Sequence, residues 1–356
     1  MGPLSALPLF PASVVGSLPR PQHVRELIDK PAWDEADERA MDAAVRYAVS
    51  LQEMAGLDVV TDGEWRRRSY IGVIAELAHG FALEVNLADG RPWTVVTEKL
   101  SPKAPGFIAS EAKFLKSVAR VGTKITLPAP ALLGERLWHP VRSRKAYPQR
   151  DDFVRDCVEP LRREIELIQR IGIDIVQIDD PHLCLFVDPE VRRGYDDPER
   201  AADFAVDMIN ALVAGFSGVK FAVHLCRRAG ARVRGEKHHA GTYGPILAQL
   251  NRLKVQHLTM EFTAAGADDL ESLARLRGDF ELGLGVVDVT PGEKQTPEQI
   301  VARVDRALQR IDAQRITLNP DCGFAPGAAA RVDLDEVYLK LCAEAQAARL
   351  LRARHA

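Results

Sequence analysis

His224 and Cys226 close the apolar stretch Val219-Lys220-Phe221-Ala222-Val223-His224-Leu225-Cys226. Residues two apart in an extended chain share a face, so an imidazole nitrogen and a thiolate sulfur placed this way can converge on one point. Zinc accepts such borderline-soft donors in tetrahedral geometry. A lone His-x-Cys is more often ordinary core or loop, and the pair gains meaning only if further donors stand at equivalent places. Glu261 and Cys322 do, each just beyond another apolar run of strand length. The four residues offer one nitrogen, two sulfurs and one oxygen, a set that suits a tetrahedral zinc ion. Taken singly, Cys322 reads equally as a packing residue and Glu261 as a salt-bridged carboxylate. A zinc ion here is either structural or binds a substrate thiol, which loses its proton on coordination and becomes a nucleophile at neutral pH. The second role requires one protein donor to yield, most easily the carboxylate.

The elements that must position these donors follow from hydrophobic pattern. Apolar runs at 13–16, 57–61, 124–127, 173–178, 219–223, 256–260, 281–287 and 315–318 read as strands. Amphipathic pattern between them predicts helices over 22–28, 34–55, 108–118, 152–171, 198–216, 243–253, 268–277, 297–311 and 334–351, with Gly56 near a C-cap and Thr296 as an N-cap. Alternation around Asp89-Gly90 predicts a β-hairpin over about 81–100, an excursion from the main fold. Buried strands alternating with helices imply parallel pairing through right-handed crossovers. Eight such runs predict an α/β fold of the (β/α)8 TIM-barrel type, a single domain spanning 1–356 with the hairpin inserted. A doubly wound sheet lacks its usual support, since no Gly-x-Gly-x-x-Gly follows the first strand. Gly283-x-Gly285 instead sits inside an apolar run, where it eases packing.

Composition agrees with a globular protein: of 356 residues 46% are hydrophobic and 27% charged, with a formal net charge of -3. That balance gives no reason to expect nucleic acid or a membrane surface as a partner. Cys157, Cys184, Cys226, Cys322 and Cys342 are too scattered for a disulfide framework, so a reducing cytoplasm is the expected location. Pro3, Pro8 and Pro11 interrupt the apolar N-terminus, no signal peptide is read there, and no apolar run reaches bilayer length.

Reactive groups of such barrels sit on the loops after the strands. Ser17, Glu64, Asp179, Asp180, His224, Cys226, Glu261, Asp288 and Cys322 all lie at or just past predicted strand ends. Polar residues end strands in any protein, but cysteine in that company is less common, because it usually packs as a small buried hydrophobe. Cys157, Cys184 and Cys342 read as such packing residues. His182 reads as a hydrogen-bonding histidine before it reads as a proton carrier. The basic runs 66–68 and 227–239 read first as solvated loops and second as seats for an anionic group, the longer one punctuated by glycine and able to act as a lid.

Val15-Gly16-Ser17, Asp62-Gly63-Glu64, Gln177-Ile178-Asp179-Asp180-Pro181, His224-Leu225-Cys226, Glu261, Gly285-Val286-Val287-Asp288 and Asn319-Pro320-Asp321-Cys322-Gly323 together resemble the cobalamin-independent methionine synthase family. The likeness is to its C-terminal catalytic barrel and its short single-barrel relatives, and it spans nearly the whole chain in the family's order. It implies a zinc ion held by His224, Cys226, Glu261 and Cys322 that activates a small thiol, homocysteine in the synthase, to accept a methyl group from an alkyl donor. It also implies that Gly16, Ser17, Glu64, Asp179 and Asp180 bind the amino acid, its ammonium meeting carboxylates, with Asp179 and Asp288 as catalytic groups. Two departures accompany the resemblance. The family's N-terminal duplicate barrel has no counterpart in this sequence, so polyglutamated folate is not expected to bind in the usual way. Thr290 stands where the synthase carries a proton-transferring histidine. The epoxyalkane:coenzyme M transferases are similar too, through His224-Leu225-Cys226-Arg227, and imply a zinc-bound thiolate that opens an epoxide. A third reading, of another class, is a metal-free barrel like uroporphyrinogen decarboxylase or a non-catalytic binding protein.

Overall fold

Runs rich in Val, Ile and Leu, buried on both faces, become the strands of a curled parallel sheet. The computed structural model describes residues 7–85, 92–228, 239, 241–263, 268–325 and 332–355. Its strands are β1 Val59–Val60, β2 Ala78–Val85, β3 Pro92–Pro102, β4 Gly122–Pro128, β5 Ile175–Asp179, β6 Lys220–Leu225, β7 His257–Glu261, β8 Glu281–Val287 and β9 Ile316–Pro320. Seven of them pair side by side in the order β1-β4-β5-β6-β7-β8-β9, every neighbour parallel. Closure comes from residues 12 and 13: Ala12 bridges to Leu318 of β9 and Ser13 to Val59 of β1, both in parallel. The result is the expected (β/α)8 barrel.

The first strand differs from expectation in extent and place. Sequence pattern puts it at 13–16, yet only Ala12 and Ser13 pair with neighbouring strands. The carbonyls that follow are taken by side chains from inside the barrel instead. Val14 O accepts from Lys124 Nζ, Val15 O from Gln177 Nε2 at 3.0 Å, and Gly16 O from Thr61 Oγ1 at 2.8 Å. Backbone polar groups are satisfied either way, so an apolar run need not be a ladder strand.

Helices cover the outside. Asp34 caps Glu35–Ala55 with a capping box, and Gly56 ends it in the left-handed region at φ 94°; Thr296 caps Pro297–Ala307 in the same manner. The helix expected over 152–171 is two, Arg150–Asp156 and Val158–Ile171, broken at Cys157. Pro160 explains the break, since it offers no N–H to Asp156 and its ring crowds that carbonyl. The helix expected over 243–253 shrinks to a 3-10 turn at Gly244–Ile246 and one turn of α-helix at Leu247–Leu250. Pro130–Leu137, Pro181–Leu185 and Pro189–Arg192 are helical where the sequence pattern predicted no helix; each begins with proline, which is suited to the first helical position.

The hairpin is present as β2 paired antiparallel with β3, bulged between His79 and Phe81. Phe81 stacks edge-on against Phe153, and Leu100 N donates to Tyr147 Oη at 2.9 Å, which fastens the hairpin to the helical layer. The Asp89-Gly90 turn lies outside the described residues. Among the described residues no helix is long and apolar enough to cross a membrane.

The barrel interior is polar at several levels. Lys124 is buried, and burial lowers its ammonium to about 8 although Asp179 and Glu344 pull the other way. A base whose folded pKa lies below its unfolded value binds fewer protons folded than unfolded between those two values. Stability from this group therefore rises with pH from about 8 toward 10.5. Chemical denaturation of wild type and Lys124→Met at pH 7.5 and pH 10 should show the wild type gaining on the variant at the higher pH, by roughly 2–3 kcal/mol.

Candidate metal centre at the barrel mouth

Parallel strands that end level bring residues distant in sequence to one rim. His224 lies within β6, Cys226 one residue past its end, and Cys322 two residues past β9. One ligating atom from each, the imidazole nitrogen and the two Sγ atoms, lies within 4.8 Å of the others, and all three residues are buried. The β5–β6 register sets Asp179 beside His224. Its Oδ1 meets His224 Nδ1 at 3.1 Å and accepts from Gln177 Nε2 at 2.8 Å. Gln177 Oε1 in turn accepts from Thr259 Oγ1 at 3.4 Å. This chain fixes the ring through Nδ1, so that the buried Nε2 remains on the side of the two sulfurs. Carboxylate-backed histidine of this kind is the common support of a metal ligand.

The electrostatics suit a cation. Burial works against protonation of His224, but Asp179 and the Cys322 sulfur outweigh it and lift the imidazole to about 9. The Cys226 thiol is held well above its ordinary value, first by its hydrogen bond to Cys322 and then by burial. Two thiols side by side in a dry pocket resist ionisation until a cation shares their charge. A buried nitrogen and two sulfurs match zinc in donor type, so the residues present fit that ion.

Glu261, the fourth expected donor, ends β7 and is fully buried, but its carboxylate stands outside the three-residue group. Its Oε2 lies 3.9 Å from Arg227 Nε. Arg227 is itself buried, stacks its guanidinium 4.4 Å from the Tyr243 ring centroid and donates to Gly241 O. The solvated-loop and anion-seat readings of the 227–239 run therefore fail for Arg227; residues 229–238 lie outside those described. The 66–68 run is likewise spoken for. Arg66 pairs with Glu38 and Asp42, Arg67 is buried against Glu111 at 2.9 Å, and Arg68 donates to the carbonyls of Ile28 and Lys30.

The residues expected to bind the amino acid lie on neighbouring strand ends. A Cβ at Gly16 would stand 2.7 Å from Glu64 Oε1 and 2.9 Å from Thr126 Cγ2, so glycine permits the close approach. Ser17 accepts from Phe324 N through its carbonyl at 3.0 Å and from Ala325 N through Oγ at 3.3 Å, tying its loop to the one that carries Cys322. Glu64 adopts φ 59°, held there by Asp62 Oδ1 on its N–H at 3.0 Å, and its Oε1 accepts from Thr126 Oγ1 at 2.8 Å. Burial raises the Glu64 carboxyl, Arg67 opposes this, and Asp179 adds to it. Two like-charged carboxylates brought together in a buried place each disfavour the other's ionisation, and a cation between them would relieve both. Asp180 has a different attachment: its Oδ1 caps Pro181–Leu185 by accepting from Leu183 N at 2.9 Å, and burial pushes the group up to about 7. Asp288, half-buried after β8, accepts from Thr290 N at 2.7 Å, and Lys340 Nζ holds both their carbonyls at 2.9 and 2.7 Å. His182 bonds Tyr195 Oη at 2.6 Å, the hydrogen-bonding role expected of it.

Sequence reasoning missed Tyr70 and gave Asp321 no role of its own. Burial raises the Tyr70 hydroxyl, Arg136 opposes this, and Cys226, Asp179 and Cys322 add to it; nothing in its local spacing marks it. Asp321 accepts from Val289 N at 3.2 Å and from Thr263 Oγ1, locking the loops after β7, β8 and β9 together. Gly285 makes room for it, as a Cβ there would lie 2.6 Å from Asp321 Cα.

An α/β barrel with a buried N/S/S cluster at the C-terminal ends of its strands is the class so defined. The chain belongs to the cobalamin-independent methionine synthase family: residues 10–338 match the model described as cobalamin-independent synthase, catalytic domain. It is 30% identical over 332 residues to a methionine synthase of Saccharolobus islandicus (strain L.S.2.15 / Lassen #1), covering 90% of each chain. A methionine synthase of Saccharolobus solfataricus is 28% identical over 334 residues, again with 90% of each covered. Among solved structures, a B12-independent methionine synthase from Shewanella sp. W3-18-1, in complex with selenomethionine, superposes with TM-score 0.77 at 21% identity over 98% of this chain and 99% of that one. The putative vitamin-B12 independent methionine synthase from Listeria monocytogenes gives 0.73 at 22% identity, over 97% and 98%.

Asp179→Asn keeps the size of the group but removes the charge that supports the His224 ring. Zinc affinity measured by competition with a chromophoric chelator should fall about 10–100-fold.

Proposed function

We propose that this protein transfers a methyl group from an alkyl donor onto the thiol of homocysteine, forming methionine, and that it does so as a zinc enzyme. The observation that carries the reading is the convergence of His224, Cys226 and Cys322 within 4.8 Å, buried, at the mouth of the barrel. The names of the methionine synthase relatives support the choice of thiol and product. His224, Cys226 and Cys322 would hold the ion, with Glu261 as the fourth donor. Zinc bound there supplies Lewis acidity that lowers a thiol's pKa and keeps it as a thiolate at neutral pH.

The chain's own residues do the rest. Glu64 and Asp179 receive the amino acid's ammonium, and Gly16 and Ser17 let its main-chain atoms approach the loop that Cys322 shares. Asp180 supports that grip from behind, through the helix it caps. Asp179 has a second role, holding the Nδ1 proton of His224 so that the other nitrogen stays available. Asp288 is the carboxylate on the loop where Thr290 replaces the family's histidine, and we assign it the handling of the proton that the donor requires. The surroundings suit an intracellular enzyme with its five cysteines reduced, and we place it in the cytoplasm. A coenzyme M sulfonate seated on Arg227 is disfavoured, because that guanidinium is buried against Tyr243 and Glu261.

Metal analysis of purified protein should give close to one zinc per chain, with most of it lost in Cys226→Ser and in Cys322→Ser. Unchanged zinc in both variants would sink the site. Incubation of the zinc-loaded enzyme with homocysteine and either methylcobalamin or methyltetrahydrofolate should yield methionine by product mass. Turnover of coenzyme M with a short epoxide, and none of homocysteine, would replace the proposed substrate with the thioether-forming alternative.

A further inference from the structure

Arg227 is a cation with no solvent around it, immediately after a candidate metal ligand, and the chain bends to put it there. Both Arg227 and Arg228 take positive φ, 47° and 59°, a region that side chains other than glycine's seldom occupy. The turn sends the Arg227 side chain inward to the Tyr243 ring, to Gly241 O and to Oε2 of Glu261 at 3.9 Å. Tyr243 completes the arrangement from behind, its hydroxyl donating to the Glu261 carbonyl at 2.9 Å. One end of β7 is thus gripped at its backbone by the ring that also supports the guanidinium. The carboxylate so placed is the single expected donor that does not join His224, Cys226 and Cys322 in their group.

We propose that Arg227 is a positioning residue that competes with the metal for the Glu261 carboxylate, and so sets how readily that carboxylate, the donor expected to yield, gives way to a substrate thiol. Charge supports the assignment. A guanidinium beside the carboxylate and a divalent cation beside the sulfurs would draw on the same negative charge, and the two cations oppose each other in a dry pocket. Sharing its charge with Arg227 makes Glu261 a poorer metal donor than the sulfurs. The inference rests on the zinc–thiol reading above.

Its test separates metal binding from thiol binding. Zinc affinity is measured by chelator competition, and homocysteine affinity from the thiolate-to-metal absorption band of the cobalt(II)-substituted protein. Arg227→Gln should bind zinc roughly tenfold more tightly and homocysteine roughly tenfold more weakly, the size of coupling usual between touching charged groups. A general loosening of the fold would weaken both, so opposite shifts exclude a purely structural role. In a Glu261→Gln background the same change should move neither constant more than twofold. Should Arg227→Gln not fold, Arg227→Lys carries the test, because it keeps the charge but has no Nε–H facing Oε2; at least threefold shifts in the same two directions are expected. Equal constants in the folded variant and wild type, shifts in the same direction, or shifts that persist without Glu261 would overturn the proposal. Wild-type protein that binds neither zinc nor thiol would remove the functional reading itself, a result distinguishable from all of these.

Discussion

Everything at the mouth of this barrel depends on strands five to nine ending at matched heights. Parallel pairing sets Asp179 against His224 and Glu261 against Gly285, so a carboxylate from one strand backs the imidazole of the next. A one-residue slip in either ladder would turn those side chains to the opposite face of the sheet. The alignment is enforced from inside: Gln177 reaches across to Val15 O and along its own strand to Asp179, and Thr259 reaches Gln177 from β7. The same side chains that satisfy the barrel interior therefore aim the cluster. Stability and function are not separate layers here, because a residue such as Gln177 belongs to both.

The loops are tied to one another as firmly as the strands. Asp321 holds loops after β7 and β8 while Ser17 holds the loop after β9, and glycine at 285 and 323 admits the contacts. A Cβ at Gly323 would stand 2.4 Å from Ser17 Oγ. Cys322 sits between these two fastenings, so its sulfur is presented on a rim with little freedom. Preorganised donors lose less on binding an ion than donors that must be gathered.

Much of this was legible in the sequence because a buried parallel strand requires an apolar run and then a polar loop, and each of the strand ends carrying His224, Cys226, Glu261 and Cys322 shows that change. The 13–16 run was misread because apolar pattern reports burial, whereas Lys124, Gln177 and Thr61, which take its carbonyls, are 45 or more residues away. Arg67 and Arg227 were misread for a related reason. A run of basic residues looks solvated until its partners are known, and Glu111 and Glu261 lie 44 and 34 residues further along the chain. Asp180 could have been recognised: an acidic residue followed by proline is a local signal for a helix N-cap, and Asp180-Pro181 behaves accordingly. Tyr70 had no such signal, since its relation to the cysteines exists only after the barrel has closed.

Backbone strain falls where these long-range ties converge. Among described residues other than glycine, positive φ occurs at Phe10, Glu64, Arg227 and Arg228, and two of these four side chains bear on the pocket directly. Such conformations cost on the order of 1–3 kcal/mol each and persist only when surrounding contacts over-determine them. For Glu64 the contacts are Asp62 on its N–H, Arg20 on its carbonyl at 2.7 Å and Thr126 on its carboxylate. For Arg227 they are Tyr243, Gly241 and Glu261. Both residues spend local conformational energy to bring a polar group into a place water has left, a carboxyl bonded to Thr126 and a guanidinium beside Glu261.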